Sequence, residues 1–181
     1  MNVQTDDVIT WGMMLRKLPT VAKALPRVIR GLKLSKVKAP DQPCGLAWSF
    51  EQAVARNPSG PALLYGNRSL SYLQANQWAN RIAHYLIGQG LGKGDVVGVL
   101  VDNRIELLIT VLAVAKVGGV CAMLNTSQTQ GALVHSITLV SPVAMVVGAE
   151  LLDGYSAVRE QVSVDPARHY FVADRDRCRP G

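Results

Sequence analysis

VLVDNRIELLITVLAVAKVGGVCAMLNTS, residues 99–127, is an almost unbroken apolar run around one lysine and a Gly-Gly pair. Three readings compete for it: a membrane span, a nucleotide site, or a strand-helix-strand piece of scaffold. Asn103 followed three residues later by Glu106 is an N-terminal cap signature, and it predicts a helix from there to about Val117. Gly118-Gly119 stops that helix, and Val120–Leu124 reads as a short buried strand. The longest uncharged-looking window, residues 107–124, is near the minimum length for a spanning helix. Lys116 and the glycine pair fall in its second half, and a cap opens it, so the span reading loses to the scaffold reading.

The same grammar extends in both directions. Ser49 predicts the cap of a short helix ending at Arg56, and PALLYGNRSLSY predicts two strands around Gly66-Asn67. Ser71 with Gln74 is a capping box, opening a helix whose buried side carries Leu73, Trp78, Ala79, Ile82 and Leu86 and which ends at Gly88–Gly90. Val96–Val101 is apolar without alternation, as a strand buried on both faces requires. Downstream, a helix over 131–140, a strand over 143–147, a helix over 151–161 and a strand over 169–172 complete the series. Strand and helix alternate throughout, which predicts an α/β fold with a doubly wound, mainly parallel sheet and flanking helices.

The formal charge of +6 on 181 residues is carried by a short part of the chain. Residues 1–40 hold eight basic side chains against Asp6 and Asp7, and the remainder is balanced. This is a basic arm, not a basic domain, and it argues against a nucleic-acid groove in the body. Within the arm Trp11, Leu15, Leu18, Ala22, Leu25, Ile29 and Leu32 recur at helical spacing, with Arg16, Lys23, Arg27 and Arg30 opposite. Such a helix can lie on an anionic membrane surface or pack on the protein, while Pro19 and Pro26 should kink or split it. KVKAPDQP, residues 36–43, reads as a linker, so the chain divides into a basic amphipathic arm and linker over 1–40 and an α/β body over 41–181. Cys44, Cys121 and Cys178 form neither a CxxC pair nor a zinc pattern, and the start lacks the build of a secretory signal. The expectation is a cytoplasmic protein, with a peripheral place at the inner membrane face as the membrane-surface reading of the arm.

Candidate chemistry is sparse. Gly88, Gly90, Gly92 and Gly94 in IGQGLGKGDVV end a helix and enter a strand, the reverse of the order a phosphate cradle needs, and no GxxxxGK[ST] occurs. A dehydrogenase-type nucleotide module is disfavoured for the same reason. His84 and His135 read as flank or surface residues of helices, Trp78 and Tyr85 as core aromatics, Asp102 as part of the Asn103 cap, and Cys121 as a small buried hydrophobe.

Taken in order, RNP (residues 56–58), LSY (70–72), AN-IA-YL (79–86), KGD (93–95), DN-IE (102–106) and K-GG (116–119) resemble the amino-terminal part of the acyl-adenylate-forming, AMP-binding synthetases. The resemblance spans residues 50–152. LNT at 124–126, the leucine and histidine at 133 and 135, and VG-EL at 147–151 are most similar to the long- and very-long-chain fatty acyl-CoA synthetases, or fatty acid transport proteins. The resemblance implies a ligase that takes a fatty acid, ATP with Mg2+, and CoA through an acyl-AMP to acyl-CoA. It also implies a Ser/Thr/Gly-rich phosphate loop of TSGTTG type, a metal-binding glutamate, a ribose-binding aspartate and a carboxy-terminal lysine. No residue here matches those positions, and NTSQTQG at 125–131, with one glycine and no lysine, does not replace the loop. The expectation is therefore no catalytic, cofactor-binding or metal residue in this chain. It reads as an N-terminal fragment of the synthetase fold, stopping just after a predicted strand and inactive alone; the alternative is a non-catalytic membrane-surface or fatty-acid-uptake protein.

Overall fold

The computed structural model describes residues 44–173 and, ahead of them, Ala24–Pro26, Val28, Ile29 and Gly31, which are helical. The chain divides into two compact units, Met1–Gln42 and Pro43–Gly181. Of the amphipathic stripe over residues 11–32, Leu25 and Ile29 are described and exposed, and Trp11, Leu15, Leu18, Ala22 and Leu32 lie outside the described residues, as does Cys178.

The second unit opens with helix α1, Leu46–Arg56, and a hairpin of β1, Pro61–Tyr65, and β2, Arg68–Ser71. The sequence placed the α1 cap at Ser49, but the helix begins one turn earlier behind Gly45, whose φ of 108° supplies the turn into it. Helix α2, Tyr72–Gly88, starts on the expected capping box: the Ser71 hydroxyl accepts from the Gln74 N–H, and the Gln74 side chain accepts from the Ser71 N–H. Its buried stripe is Ala75, Ala79, Ala83 and Leu86, with the three alanines small enough to let α2 lie close to its neighbour, while Leu73 is exposed.

The sheet comprises β3, Val96–Leu100; β4, Val120–Met123; β5, Ala144–Gly148; and β6, His169–Val172, in the order β4-β3-β5-β6 with every pair parallel. Between β3 and β4 runs α3, Ile105–Lys116; between β4 and β5 runs α4, Gln130–Val140. Side-chain alternation in the central strands feeds two cores. Val97, Val99, Ala144 and Val146 pack with Leu86, Leu91 and Val114 on one face. Leu100, Met145 and Val147 pack with Leu133, Ile137 and Tyr155 on the other. Helices thus cover both faces, as the valine-rich, non-alternating strands require.

Helices α2 and α3 end alike. Gly90 (φ 79°) and Gly118 (φ 77°) take the left-handed position just past each helix, and Leu91 and Gly119 donate back to the carbonyls of Leu86 and Val114. Both turns deliver the chain directly towards a strand.

Three further expectations are corrected. Helix α3 is capped at Arg104, not Asn103, with no side-chain cap bond, because the Glu106 carboxylate is drawn into an ion pair elsewhere. Strand β4 is an edge and not a buried strand, with Val120 52% and Met123 67% exposed. The helix expected over 151–161 breaks into a 3-10 turn at Ala149–Leu151, a short α5 at Leu152–Ser156 and a second 3-10 turn at Arg159–Gln161. Gly154 weakens the helix there, and Tyr155, Val158, Val162 and Val164 are all pulled into the same apolar cluster, which a straight helix cannot supply.

Candidate functional site

Open parallel sheets place ligands at the carboxyl ends of their strands, where the strand order reverses direction. Here that point lies between β3 and β5, since the chain leaves β3 for β4 on one side and then crosses to β5 on the other. The loop after β3 carries Asp102, Asn103 and Arg104; the turn after β5 carries Glu150.

A buried charge network fills the position. Arg104 Nη2 donates to Glu150 Oε2 at 2.9 Å and to the Val172 carbonyl, at the end of β6, at 2.9 Å. Glu150 Oε1 accepts from the Asp102 N–H at 2.9 Å, tying the two loops to each other. On the other side Arg104 Nη1 stands 3.8 Å from Glu106 Oε2, and Arg68 of β2 donates to Glu106 Oε1 at 2.9 Å. The side chains of Arg104 and Glu106 are 4% and 2% exposed. Arg104 Nε and Nη1 and Glu106 Oε2 have no hydrogen-bond partner and are sealed from solvent. The arginines and glutamates of the network pair with one another, so the crevice is occupied by the protein's own side chains. What this arrangement does chemically is clamp: it joins the hairpin, the start of α3 and the ends of β3, β5 and β6.

The residues weighed from sequence are not brought together. The Asp102 side chain is exposed and only its backbone N–H is used. Asn103 lines a cavity of about 310 Å³ between β1 and the start of α3, with Leu63, Leu64, Arg104 and Leu108. His84 and His135 are exposed on α2 and α4. Trp78 packs on the cluster of α2 and α3, whereas Tyr85 is exposed, edge-on to Tyr170 with ring centroids 5.5 Å apart. Cys121 packs against the core, and burial pushes its thiol up to about 11, away from the range of a thiolate nucleophile. In IGQGLGKGDVV the glycines form the turn after α2, with Asp95 Oδ2 accepting from the Gly92 N–H at 2.8 Å and the Gly94 N–H donating to the Gly118 carbonyl at 3.0 Å. In NTSQTQG, Asn125 Oδ1 accepts from the Ser127 N–H at 2.9 Å, an Asx turn that uses up the side chain locally. Among the described residues no three His, Cys, Asp or Glu side chains are grouped to hold a metal ion.

Two buried groupings were not foreseen. The charge network carried no spacing signal, because its members come from positions 68, 104, 106 and 150; DN-IE and VG-EL each touched part of it without linking the parts. The second is Tyr155 and His169, 2.8 Å apart between the phenol oxygen and Nδ1.

Comparisons with known proteins agree on one family. Residues 50–180 match the AMP-binding enzyme family. A medium/long-chain-fatty-acid–CoA ligase of Mycobacterium tuberculosis is 31% identical over 144 residues, covering 80% of this chain and 24% of the relative. A medium/long-chain-fatty-acid–CoA/3-oxocholest-4-en-26-oate–CoA ligase of Mycobacterium marinum is 40% identical over 96 residues, 53% of this chain and 18% of the relative. The chain therefore spans about a quarter or less of the length of these relatives. Among solved structures, a putative long-chain-fatty-acid CoA ligase from Rhodopseudomonas palustris superposes with a TM-score of 0.67 at 23% identity, over 72% of this chain and 33% of that one. The parallel sheet order, the covering of both its faces by helices and the match over residues 50–180 converge: the chain belongs to the AMP-binding enzyme family.

Proposed function

We propose that this chain supplies the N-terminal α/β unit of a fatty acid–CoA ligase, an enzyme that activates a medium- or long-chain fatty acid with ATP and passes the acyl group to CoA. The observation that carries this reading is the 31% identity, over most of the chain, to a medium/long-chain-fatty-acid–CoA ligase. In that reaction the fatty acid carboxylate attacks the α-phosphorus of ATP, pyrophosphate leaves, and the CoA thiol then displaces AMP. Displacement at phosphorus needs donors and cations arranged around the phosphates.

The residues present do not fit ATP, Mg2+ or CoA. The glycine turns close helix ends, and the buried guanidinium of Arg104 at the strand ends is held by Glu150 and Glu106. No catalytic step is derived from this chain. Its part in the reaction is support: a rigid sheet whose strand ends are fixed by the Arg104 network. By itself it is proposed to ligate nothing.

The basic arm over residues 1–40 is proposed to bring the enzyme to an anionic membrane surface, on the cytoplasmic side, where fatty acids partition. Its charge, with eight basic residues against two acidic ones, supports this. Among the described residues no helix is long and apolar enough to cross a membrane.

The test begins with the intact mass of the gene product isolated from its source cell, followed by fatty-acid-dependent ATP–pyrophosphate exchange on that product and on the 181-residue chain. A product larger than 19.5 kDa that exchanges, beside a 181-residue chain that does not, is the expected result. Exchange by the 181-residue chain overturns the supporting role. A 19.5 kDa product that exchanges nothing removes ligation and leaves a surface-binding protein.

A further inference from the structure

Outside the charge network, Tyr155 and His169 form a second buried polar grouping. Tyr155, on α5, is fully buried within the cluster of Leu100, Leu133, Ile137, Met145 and Val147. His169 opens β6, where it pairs with Met145 of β5. Its Nε2 faces the Val164 carbonyl at 3.3 Å, and its Nδ1 faces the Tyr155 hydroxyl at 2.8 Å. A carbonyl only accepts, so Nε2 carries the proton and donates, and Nδ1 accepts from the phenol. The neutral ring is thus satisfied at both nitrogens.

Protonation at Nδ1 spoils that match. Both nitrogens become donors, the phenol must turn to accept, and its own proton is left in an apolar cluster with no acceptor. The groups facing the ring from the surrounding elements are Tyr155 on α5, Arg159 on the 3-10 turn, and Asp165 on the loop before β6. Burial, the larger influence, lowers the His169 pKa below its ordinary 6.5, and Arg159 adds to this against the Val164 carbonyl and Asp165. Burial also pushes the Tyr155 phenol up to about 12, so it stays a donor. Beside the ring lies a cleft of about 410 Å³ lined by Arg159, Glu160, Val162, Val164, Pro166 and His169.

We propose that the Tyr155–His169 pair is an acid-sensitive latch: with His169 neutral it holds the segment 158–168 over β5 and β6, and with His169 protonated that segment opens while the β3–β5 ladder stays intact. The closed state binds fewer protons than the open one. Its hold is therefore full above the ordinary histidine value and is lost as the pH falls below it. The device is independent of the reaction the enzyme performs.

Amide hydrogen exchange on the 181-residue chain, at about pH 7.5 and about pH 5.5 with the intrinsic rate difference removed, tests it. Opening at the Val158, Val162 and Val164 amides is expected to rise severalfold, with a ceiling of about tenfold, at the lower pH, while the Val97 and Val99 amides do not change. His169→Gln keeps a donor for the Val164 carbonyl but cannot titrate, so it should abolish the step. A wild-type chain with no step, an equal step across β3, or a step that survives H169Q overturns the latch. If H169Q does not fold, the His169 titration read by NMR in the wild-type chain decides: a midpoint below 6.5 is expected, and one at or above it overturns the proposal.

Discussion

Arg104 is the residue on which most of the strand-end geometry depends. A guanidinium with 4% of its side chain exposed is stable there because Glu150, Glu106 and the Val172 carbonyl surround it. Removing one member of such a buried set leaves the others charged and uncompensated, which typically costs about 3–5 kcal/mol. Arg104→Ala is expected to lower the unfolding free energy of the 181-residue chain by about that amount, read in a urea titration as a lower midpoint with the slope unchanged. Arg104→Met at similar volume still strands Glu150, while Glu106 keeps Arg68, and should do little better. Replacing Arg104 and Glu150 together by apolar residues, with the Arg68–Glu106 pair left in place, should recover much of the loss. If R104A unfolds at the wild-type midpoint, the network contributes nothing. At this scale the sequence was a poor guide. Glu106 was read as a cap partner for Asn103, and only the arrival of Arg68 from the hairpin, 38 positions away, gives its carboxylate a different task.

At the scale of elements, what was legible was what local chemistry fixes. The capping box at Ser71 and Gln74 needs only four neighbouring residues, and it forms as read. Ser71→Ala should cost about 1 kcal/mol in a denaturant titration, and adding Gln74→Ala should cost less than a second full increment, since the two bonds act as a pair. An additive result would show that the two sides of the box are independent. The glycine turns at Gly90 and Gly118 were equally legible, because a left-handed backbone there follows from the lack of a Cβ. The helix over 151–161 was not. Its residues alternate well enough for a helix, but Tyr155, Val158, Val162 and Val164 converge on one cluster, and the chain bends at two 3-10 turns to deliver them. Nor was the exposure of β4 legible, since a strand's own residues do not say whether another strand lies beyond it.

For the whole molecule, the division of charge makes a prediction that the α/β body does not. Vesicles containing anionic lipid are expected to retain the 181-residue chain at low salt, release it as salt rises, and fail to retain a chain lacking residues 1–40. Retention of the shortened chain would move the membrane contact onto the body, whose charge is balanced. The sequence by itself determined the α/β class, the strand and helix order from residue 61 to residue 148, the helix stops and the family, because each rests on neighbours along the chain or on an ordered series of short motifs. Only the tertiary structure decided that β4 lies at an edge, that the crevice between β3 and β5 is closed by Arg104 and two glutamates, and that Tyr155 meets His169. Those depend on which distant residues are brought within a few ångströms, and a buried charge or hydroxyl takes whichever partner the packing supplies.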